Sequence, residues 1–119
     1  MRDTLTPGIE NESSHEVTRD MSAPHLPRVV LATPTMIGLI EGTCLMAVSP
    51  HLDEGETTVG THVCVSHQAA ANEGEQITIR CRLSRIERRR LTFDVTVDTP
   101  NARISEGTHE RAVVQLGPR

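Results

Sequence analysis

The sequence predicts an α+β domain in which an antiparallel sheet of about five strands wraps around one central helix. Three observations support this prediction. One apolar helical segment lies near residue 40, period-two alternation runs through most of the chain after Glu56, and 119 residues suit a single core. A helix that is apolar nearly all round is normally covered by another layer, and here the sheet is the available layer.

The helix has a clear beginning and end. Thr33 is a candidate N-cap, and Pro34 follows at the first helical position, where its missing N–H costs nothing. Ser49 and Pro50 end the pattern. Apolar residues recur between these limits at three- and four-residue spacing: Met36, Ile37, Ile40, Cys44, Ala47 and Val48.

The chain before the helix is less regular. Residues 1–8 are polar and are expected to lie loose, so that the domain proper covers residues 9–119. Residues 9–18 are a candidate edge strand, and residues 19–28 form an irregular connection because they contain two prolines. The apolar residues 29–31 are interpreted as a strand stub that leads into the helix.

The chain after the helix is predicted to be all strand. Glu87 to Arg90 is the expected hairpin tip between the second and third of these strands, and Gly107 is a candidate bulge. Four segments alternate with period two: Val59–His67, Ile77–Leu83, Leu91–Asp98 and Ala102–Leu116. A strand, a helix and then three or four antiparallel strands together indicate a hotdog fold.

Composition argues against several classes of protein. The net charge of −4 offers no broad basic field for nucleic acid. We expect no membrane span and no signal peptide, because no segment is apolar for long enough. Cys44, Cys64 and Cys81 lie in apolar periodic segments without metal-type spacing, so we expect free buried thiols, no metal site and a cytoplasmic protein.

The densest basic stretch, from Arg80 to Arg90, allows two interpretations. Charge runs of this kind usually form a solvated strand face and hairpin tip. Guanidinium groups also match the geometry of phosphate, so a phosphate-binding patch is the alternative.

Three polar residues are candidates for chemistry. Glu41 lies in the middle of the apolar helix, where an unpaired buried carboxylate is costly, so it faces water, has a structural partner or is catalytic. His67 follows a valine-rich strand and is either a hydrogen-bonded core histidine or a base. Thr33 needs no role beyond the N-cap. Position alone does not decide between these interpretations.

Three segments resemble the fluoroacetyl-CoA thioesterase family, within a similarity that extends from about Val30 to Leu116. They are Leu31–Glu41 (LATPTMIGLIE), Gly55–Ala71 (GETTVGTHVCVSHQAAA) and Gly107–Val114 (GTHERAVV). In this family a Thr at the helix start, a Glu eight residues later and a His twenty-six residues after the Glu are catalytic. Thr33, Glu41 and His67 match both spacings. The resemblance implies a hotdog acyl-CoA thioesterase that needs no cofactor beyond the coenzyme A of its substrate.

The resemblance assigns two binding residues and shows one departure. Gly60 matches a glycine beside the site, where a backbone N–H can approach a thioester carbonyl. Arg111 matches the family's arginine, with a role in coenzyme A contact or in interface pairing; an exposed charge cluster of Arg111 with Glu106 and Glu110 is the local alternative. Pro27 stands where the family resemblance places a gating phenylalanine, so the implied acyl specificity is not fluoroacetyl.

The implied mechanism uses Thr33 to attack the thioester or to orient water, His67 as general base and Glu41 as an assisting group. Glu41 as nucleophile or base is the alternative. Rival functions are a non-catalytic acyl-CoA-binding module and a hotdog hydratase.

A homodimer is expected on two grounds. Eight residues along a helix correspond to about 12 Å and about 80° of rotation, so Thr33 and Glu41 of one helix do not converge on one carbonyl. The core also contains a single aromatic residue, Phe93, which leaves an isolated monomer with little large apolar surface to bury. We expect the sheets to join edge to edge and each active site to be shared between protomers.

Overall fold

The computed structural model describes residues 1–117, and it consists of one long helix packed on a five-stranded antiparallel sheet, as predicted. Helix α1 spans Thr33–Val48. The strands are β1 (Glu10–Glu16), β2 (Glu56–Val65), β3 (Gln76–Glu87), β4 (Arg90–Asp98) and β5 (Arg103–Gln115). Their order across the sheet is β1-β3-β4-β5-β2, so β1 and β2 are the two edges.

The central strands β3 and β4 supply most of the core. Every inward apolar residue that the alternation predicts on them is buried: Ile77, Ile79, Cys81, Leu83, Leu91, Phe93, Val95 and Val97. Buried residues of α1, including Met36, Ile40 and Cys44, complete this core. The predicted hairpin tip is confirmed as a two-residue turn at Arg88 and Arg89.

Strand β2 departs from the predicted alternation. Its register with β5 shifts between Gly60 and His62. Thr58 is therefore buried, while Val59 exposes 44% of its surface. The prediction of one inward face running from Val59 to His67 is wrong, because a bulge changes which side chains point inward.

Gly107 is not at a bulge. It pairs in register with Val65 on one side and Val95 on the other. A Cβ at this position would overlap the carbonyl oxygen of Cys64. The close approach of the β2 backbone, rather than an extra residue in the strand, accounts for this glycine.

Residues 1–8 lie against the domain, which differs from the loose segment that their polarity predicts. Leu5 is 7% exposed and joins the core. The N–H of Gly8 donates to the carbonyl of Leu83 at 2.7 Å. Leu5 and Met1 pack on the core, and the Met1 ammonium pairs with Asp53 and Glu56. These contacts hold the segment, and its composition does not reveal them.

The three cysteines are free thiols, but they are not all buried. Cys44 and Cys81 are buried free thiols, as expected, but Cys64 is exposed because it lies on the edge strand β2. Within residues 1–117, no helix has the length and apolar character needed to cross a membrane.

Candidate active site

Thr33 begins helix α1 but does not cap it. Ala32 occupies the N-cap with extended backbone angles, and no side chain makes a capping hydrogen bond. The N-cap prediction is therefore wrong by one residue. The Thr33 hydroxyl instead lies 2.8 Å from Nδ1 of His67. A threonine at position 33 is therefore not explained by a capping role.

His67 is held beside the helix start by the backbone around it. The N–H groups of Ser66 and Gln68 donate to the carbonyls of Glu106 and Ile104 in β5, at 3.0 and 2.8 Å. The imidazole is only partly buried, and the Thr33 hydroxyl is exposed. His67 is thus a fixed, accessible side chain rather than a core histidine.

A cavity of about 810 Å³ opens beside the Thr33–His67 pair. This volume lies in the range of small-molecule sites, which is about 300–1,000 Å³. Its walls are mostly apolar and come from the segments before α1 and after His67; they include Leu26, Val30, Leu31, Ala69 and Ala70. Leu26 lines the cavity, whereas the neighbouring Pro27 lies outside the lining.

A second group of site residues forms around Glu41. Its Oε1 lies 3.5 Å from Nη1 of Arg111, with the Glu41 side chain 40% exposed and the Arg111 side chain 6% exposed. A Cβ on Gly60 would overlap Glu41 Oε1 and would lie 3.4 Å from Arg111 Nη1. Glycine at position 60 therefore leaves the space that the Glu41 carboxylate occupies. Glu41 is neither fully buried nor unpaired.

Arg111 is a buried cation with several acceptors. Its Nε donates to Thr58 Oγ1 at 2.7 Å, and its Nη2 donates to the Thr58 carbonyl at 3.0 Å. Burial lowers the pKa of Arg111, and the negative charge of Glu41 opposes this effect. The alternative of an exposed cluster with Glu106 and Glu110 is wrong, because Arg111 is 5% exposed.

Sequence reasoning missed His109, which completes this group. Its Nε2 lies 3.1 Å from Arg111 Nη1, and its Nδ1 lies 2.7 Å from the His62 carbonyl. The ring is fully buried and stacks on Phe93 with a centroid distance of 6.4 Å. The available signal was strand periodicity: residues two apart on β5 share a face, so His109 had to accompany Arg111.

The structure brings the five predicted site residues together as two groups within one protomer. Thr33 pairs with His67, while Glu41, Gly60 and Arg111 contact one another. Eight helical residues separate Thr33 from Glu41, or about 12 Å along the axis. His67 lies seven residues after Gly60, a distance of up to about 23 Å along an extended chain.

Several arginines of the basic stretch from Arg80 to Arg90 form ion pairs with carboxylates of the same chain. Arg80 lies 3.0 Å from Glu12, and Arg89 lies 2.9 Å from Glu56. Arg82 also approaches an acidic residue of β1. These pairs favour the solvated strand face over a phosphate-binding patch.

Neither group has the ligands of a metal centre. Across the described part of the chain, no three His, Cys, Asp or Glu side chains are placed to hold a metal ion.

A family profile described as "Fluoroacetyl-CoA-specific thioesterase" matches residues 13–116. The chain belongs to this family. The resemblance carried by the three sequence segments is therefore confirmed.

Individual relatives agree with the family assignment. The chain is 42% identical over 87 residues to the "Fluoroacetyl-CoA thioesterase" of Streptantibioticus cattleyicolor, a match that covers 73% of this chain and 63% of that protein. A solved structure of the fluoroacetyl-CoA thioesterase FlK has a TM-score of 0.89 at 34% identity, over 96% of this chain and 91% of that one. A mutant of FlK in complex with acetyl-CoA has a TM-score of 0.88 at 33% identity, over 94% and 91% of the two chains.

More distant structures share the fold. A thioesterase superfamily member from Thermus thermophilus has a TM-score of 0.87 at 24% identity, over 95% of this chain and 86% of that one. The predicted hotdog fold is confirmed.

Proposed function

We propose that this protein is a thioester hydrolase that cleaves acyl-CoA to a free acid and coenzyme A. The observation that carries the proposal is the 2.8 Å contact between the Thr33 hydroxyl and His67 Nδ1 at the wall of the apolar cavity. The Thr33 hydroxyl makes no capping hydrogen bond and contacts an imidazole instead. An imidazole in this position can accept the hydroxyl proton and so activate the oxygen as a nucleophile. Membership of the family supports the same chemistry.

In the proposed mechanism, His67 Nδ1 accepts the proton of the Thr33 hydroxyl, or of a water that Thr33 orients, as the oxygen attacks the thioester carbonyl. The Gly60 N–H polarises that carbonyl. The C–S bond then breaks, and the proton held by His67 passes to the departing thiolate of coenzyme A. Where water attacks, the acid is released directly. Where Thr33 attacks, the acyl-threonine ester that forms is hydrolysed by a water that Glu41 orients and His67 deprotonates, which releases the acid and restores the Thr33 hydroxyl. A second route, in which the Glu41 carboxylate is itself the base or nucleophile, uses the same residues.

We further propose that two chains share each active site. In the described chain, β5 pairs with one edge of β2, and the other edge has no partner strand. Val59 exposes 44% of its surface on this strand. Antiparallel pairing of two β2 edges reverses one strand, so the Thr33–His67 end of one protomer runs towards Glu41 and Gly60 of its partner. Such a dimer brings together the two groups that one protomer keeps apart.

Mixed dimers test the shared site directly. His67→Ala and Glu41→Gln should each inactivate a homodimer. In a mixed dimer of the two variants, a shared-site arrangement leaves one site with both residues intact, so up to half of the wild-type activity returns. Sites built within one chain give no recovery. Light scattering that shows an active monomer at micromolar concentration contradicts the proposal outright.

The acyl preference follows from what lines the cavity. Pro27 lies outside the lining, and the chain has no Trp or Tyr to serve as a gate. An apolar pocket discriminates a methylene by only about 1–3 kcal/mol, so strong selection of one small acyl group needs further elements. We therefore propose weak discrimination between acetyl-CoA and fluoroacetyl-CoA, with a longer or branched acyl-CoA preferred. A preference for fluoroacetyl-CoA of about 10⁴-fold in kcat/KM contradicts this inference.

The function itself is tested by release of free thiol from a panel of acyl-CoAs, with Thr33→Ala as the control. Thiol release that depends on Thr33 supports hydrolysis. Binding of acyl-CoA without thiol release identifies a binding module. Loss of an enoyl-CoA double bond without thiol release identifies a hydratase.

A further inference from the structure

His109 joins strand β2 to the Glu41 carboxylate through one unbroken chain of contacts. The His62 carbonyl contacts His109 Nδ1 at 2.7 Å, His109 Nε2 contacts Arg111 Nη1 at 3.1 Å, and the same Nη1 lies 3.5 Å from Glu41. Arg111 is thus fixed on one side by Thr58 and on the other by His109.

The partners of His109 require one protonation state. A carbonyl oxygen only accepts, so Nδ1 must carry a proton and donate it to His62. A guanidinium only donates, so Nε2 must present its lone pair to Arg111. The ring is therefore the neutral Nδ1–H tautomer. Protonation of Nε2 would break the contact with Arg111 and place two cations together.

The surroundings of the ring favour this neutral state. Burial lowers the pKa of His109, and the charge of Arg111 lowers it further. The hydrogen bond to the His62 carbonyl and the carboxylates of Glu41 and Glu110 raise the pKa of His109 but do not overcome burial. Stacking on Phe93, with 25° between the ring planes, fixes the orientation of the imidazole.

We propose that His109 is a positioning residue for hydrolysis, which holds the Arg111 guanidinium in place so that the Glu41 carboxylate stays beside Gly60. This role rests on the proposed function. His109 touches neither substrate nor reacting atoms, and it acts through Arg111 and Glu41. Its contact with Arg111 matters for turnover, whereas its contact with His62 serves the orientation of the ring.

Two amide variants separate the two contacts. The carboxamide of His109→Gln reaches about as far as Nε2 and offers Arg111 an acceptor. The shorter carboxamide of His109→Asn lies near Nδ1 and keeps the bond to His62, but it leaves Arg111 without that acceptor. Both variants lose the stacking on Phe93 and one hydrogen bond, so they are matched in what they remove from the core. Val113→Ala, a buried truncation four residues beyond His109 on β5, controls for general destabilisation.

We expect His109→Asn to lower kcat by about 10- to 100-fold with KM within a factor of about two, since misplacing a reacting group by about 1 Å costs up to about 10²-fold. His109→Gln should keep kcat within a factor of about three of the wild-type value. Val113→Ala should have the wild-type kcat but a lower Tm. Equal loss of kcat in both His109 variants, in proportion to their loss of stability, overturns the proposal.

A spectroscopic measurement decides the tautomer without any assay of activity. Ring ¹⁵N shifts of His109 in the wild-type protein should show a protonated Nδ1 and an unprotonated Nε2, and this pattern should persist at pH values where exposed histidines become charged. An Nε2–H tautomer overturns the proposal even if the protein is an active thioesterase. Absence of thiol release by the wild-type protein refutes the proposed function instead, and the positioning role falls with it.

Discussion

Replacing Gly60 by Ala should inactivate the protein while leaving it folded. The added Cβ would overlap Oε1 of Glu41 and would lie 3.3 Å from the His109 ring. Glu41 is the end of a flexible side chain that is 40% exposed, so its carboxylate can move into solvent. A displacement of about 1 Å or more from the reacting position costs about 10²-fold in rate. We therefore expect kcat to fall by about 10²-fold or more.

The cost in stability is small because opposing contributions nearly cancel. Gly60 does not have a positive φ, so alanine fits its backbone and stabilises by about 0.4–1 kcal/mol through the unfolded state. Glu41 stays solvated when it moves, and the buried Arg111 keeps its hydrogen bonds to Thr58 and His109, so loss of the Glu41–Arg111 contact costs about 1 kcal/mol. The net change in unfolding free energy should lie within about 1–2 kcal/mol.

Gly38 provides the matched control, since it lies on the same helix as Glu41 and a Cβ there would meet no atom within 4 Å. Gly38→Ala should raise the unfolding free energy by about 0.5–1 kcal/mol and leave kcat unchanged. Steady-state thiol release and urea unfolding measure both quantities. A Gly60→Ala protein with kcat within about threefold of wild type refutes the requirement for Glu41 at this position. A Gly60→Ala protein that does not fold shows that the backbone, rather than Glu41, takes up the overlap.

Three further predictions concern separate parts of the molecule. His67→Ala should lower kcat by about 10²–10⁴-fold with little change in Tm, because the side chain is accessible; turnover within a few-fold of wild type would assign it no catalytic role. Hydrogen bonds from the Met1 ammonium and other donors lower the pKa of Glu56 to about 2, so stability should be full above about pH 4.5 and decline towards pH 2. Thermal unfolding across that range checks this, and a Glu56→Gln protein with the same decline would exclude Glu56 as its source. Cys44 and Cys81 are both buried and out of reach of a thiol reagent, and contact with Cys81 and burial also raise the pKa of Cys44. The reagent should therefore modify the exposed Cys64 alone in the native protein, and two fast-reacting thiols would contradict the structure.

The buried residues of strands β3 and β4 could be predicted from sequence periodicity. Their alternation predicted every inward apolar residue, because a strand buried on one face leaves a period of two that is local in sequence. The helix was predictable for the same reason, since its apolar spacing, Pro34 and Ser49 all lie within one segment. These features need no knowledge of what the segment touches.

The contacts within the two groups of site residues could not be predicted from sequence periodicity. The family resemblance identified Thr33, Glu41 and His67 as candidates by their spacing in the sequence. It did not predict which of them are in contact, because spacing along the chain does not give distances in the folded protein. The departure of β2 from alternation arises from a bulge between Gly60 and His62. A glycine inside a strand is a weak signal of a bulge, and the same signal at Gly107 marks a close backbone contact instead.

The sequence by itself determined the elements of this protein, the hotdog order of those elements and the family to which the chain belongs. The tertiary structure alone decided that Arg111 is buried rather than exposed, that Thr58 accepts its hydrogen bonds, and that the Thr33 hydroxyl contacts His67 instead of capping the helix. The physical reason is distance along the chain. Arg111 is held by Thr58, which lies 53 positions away, and Thr33 by a residue 34 positions away. Burial and hydrogen bonding at such separations depend on packing, which local pattern does not encode.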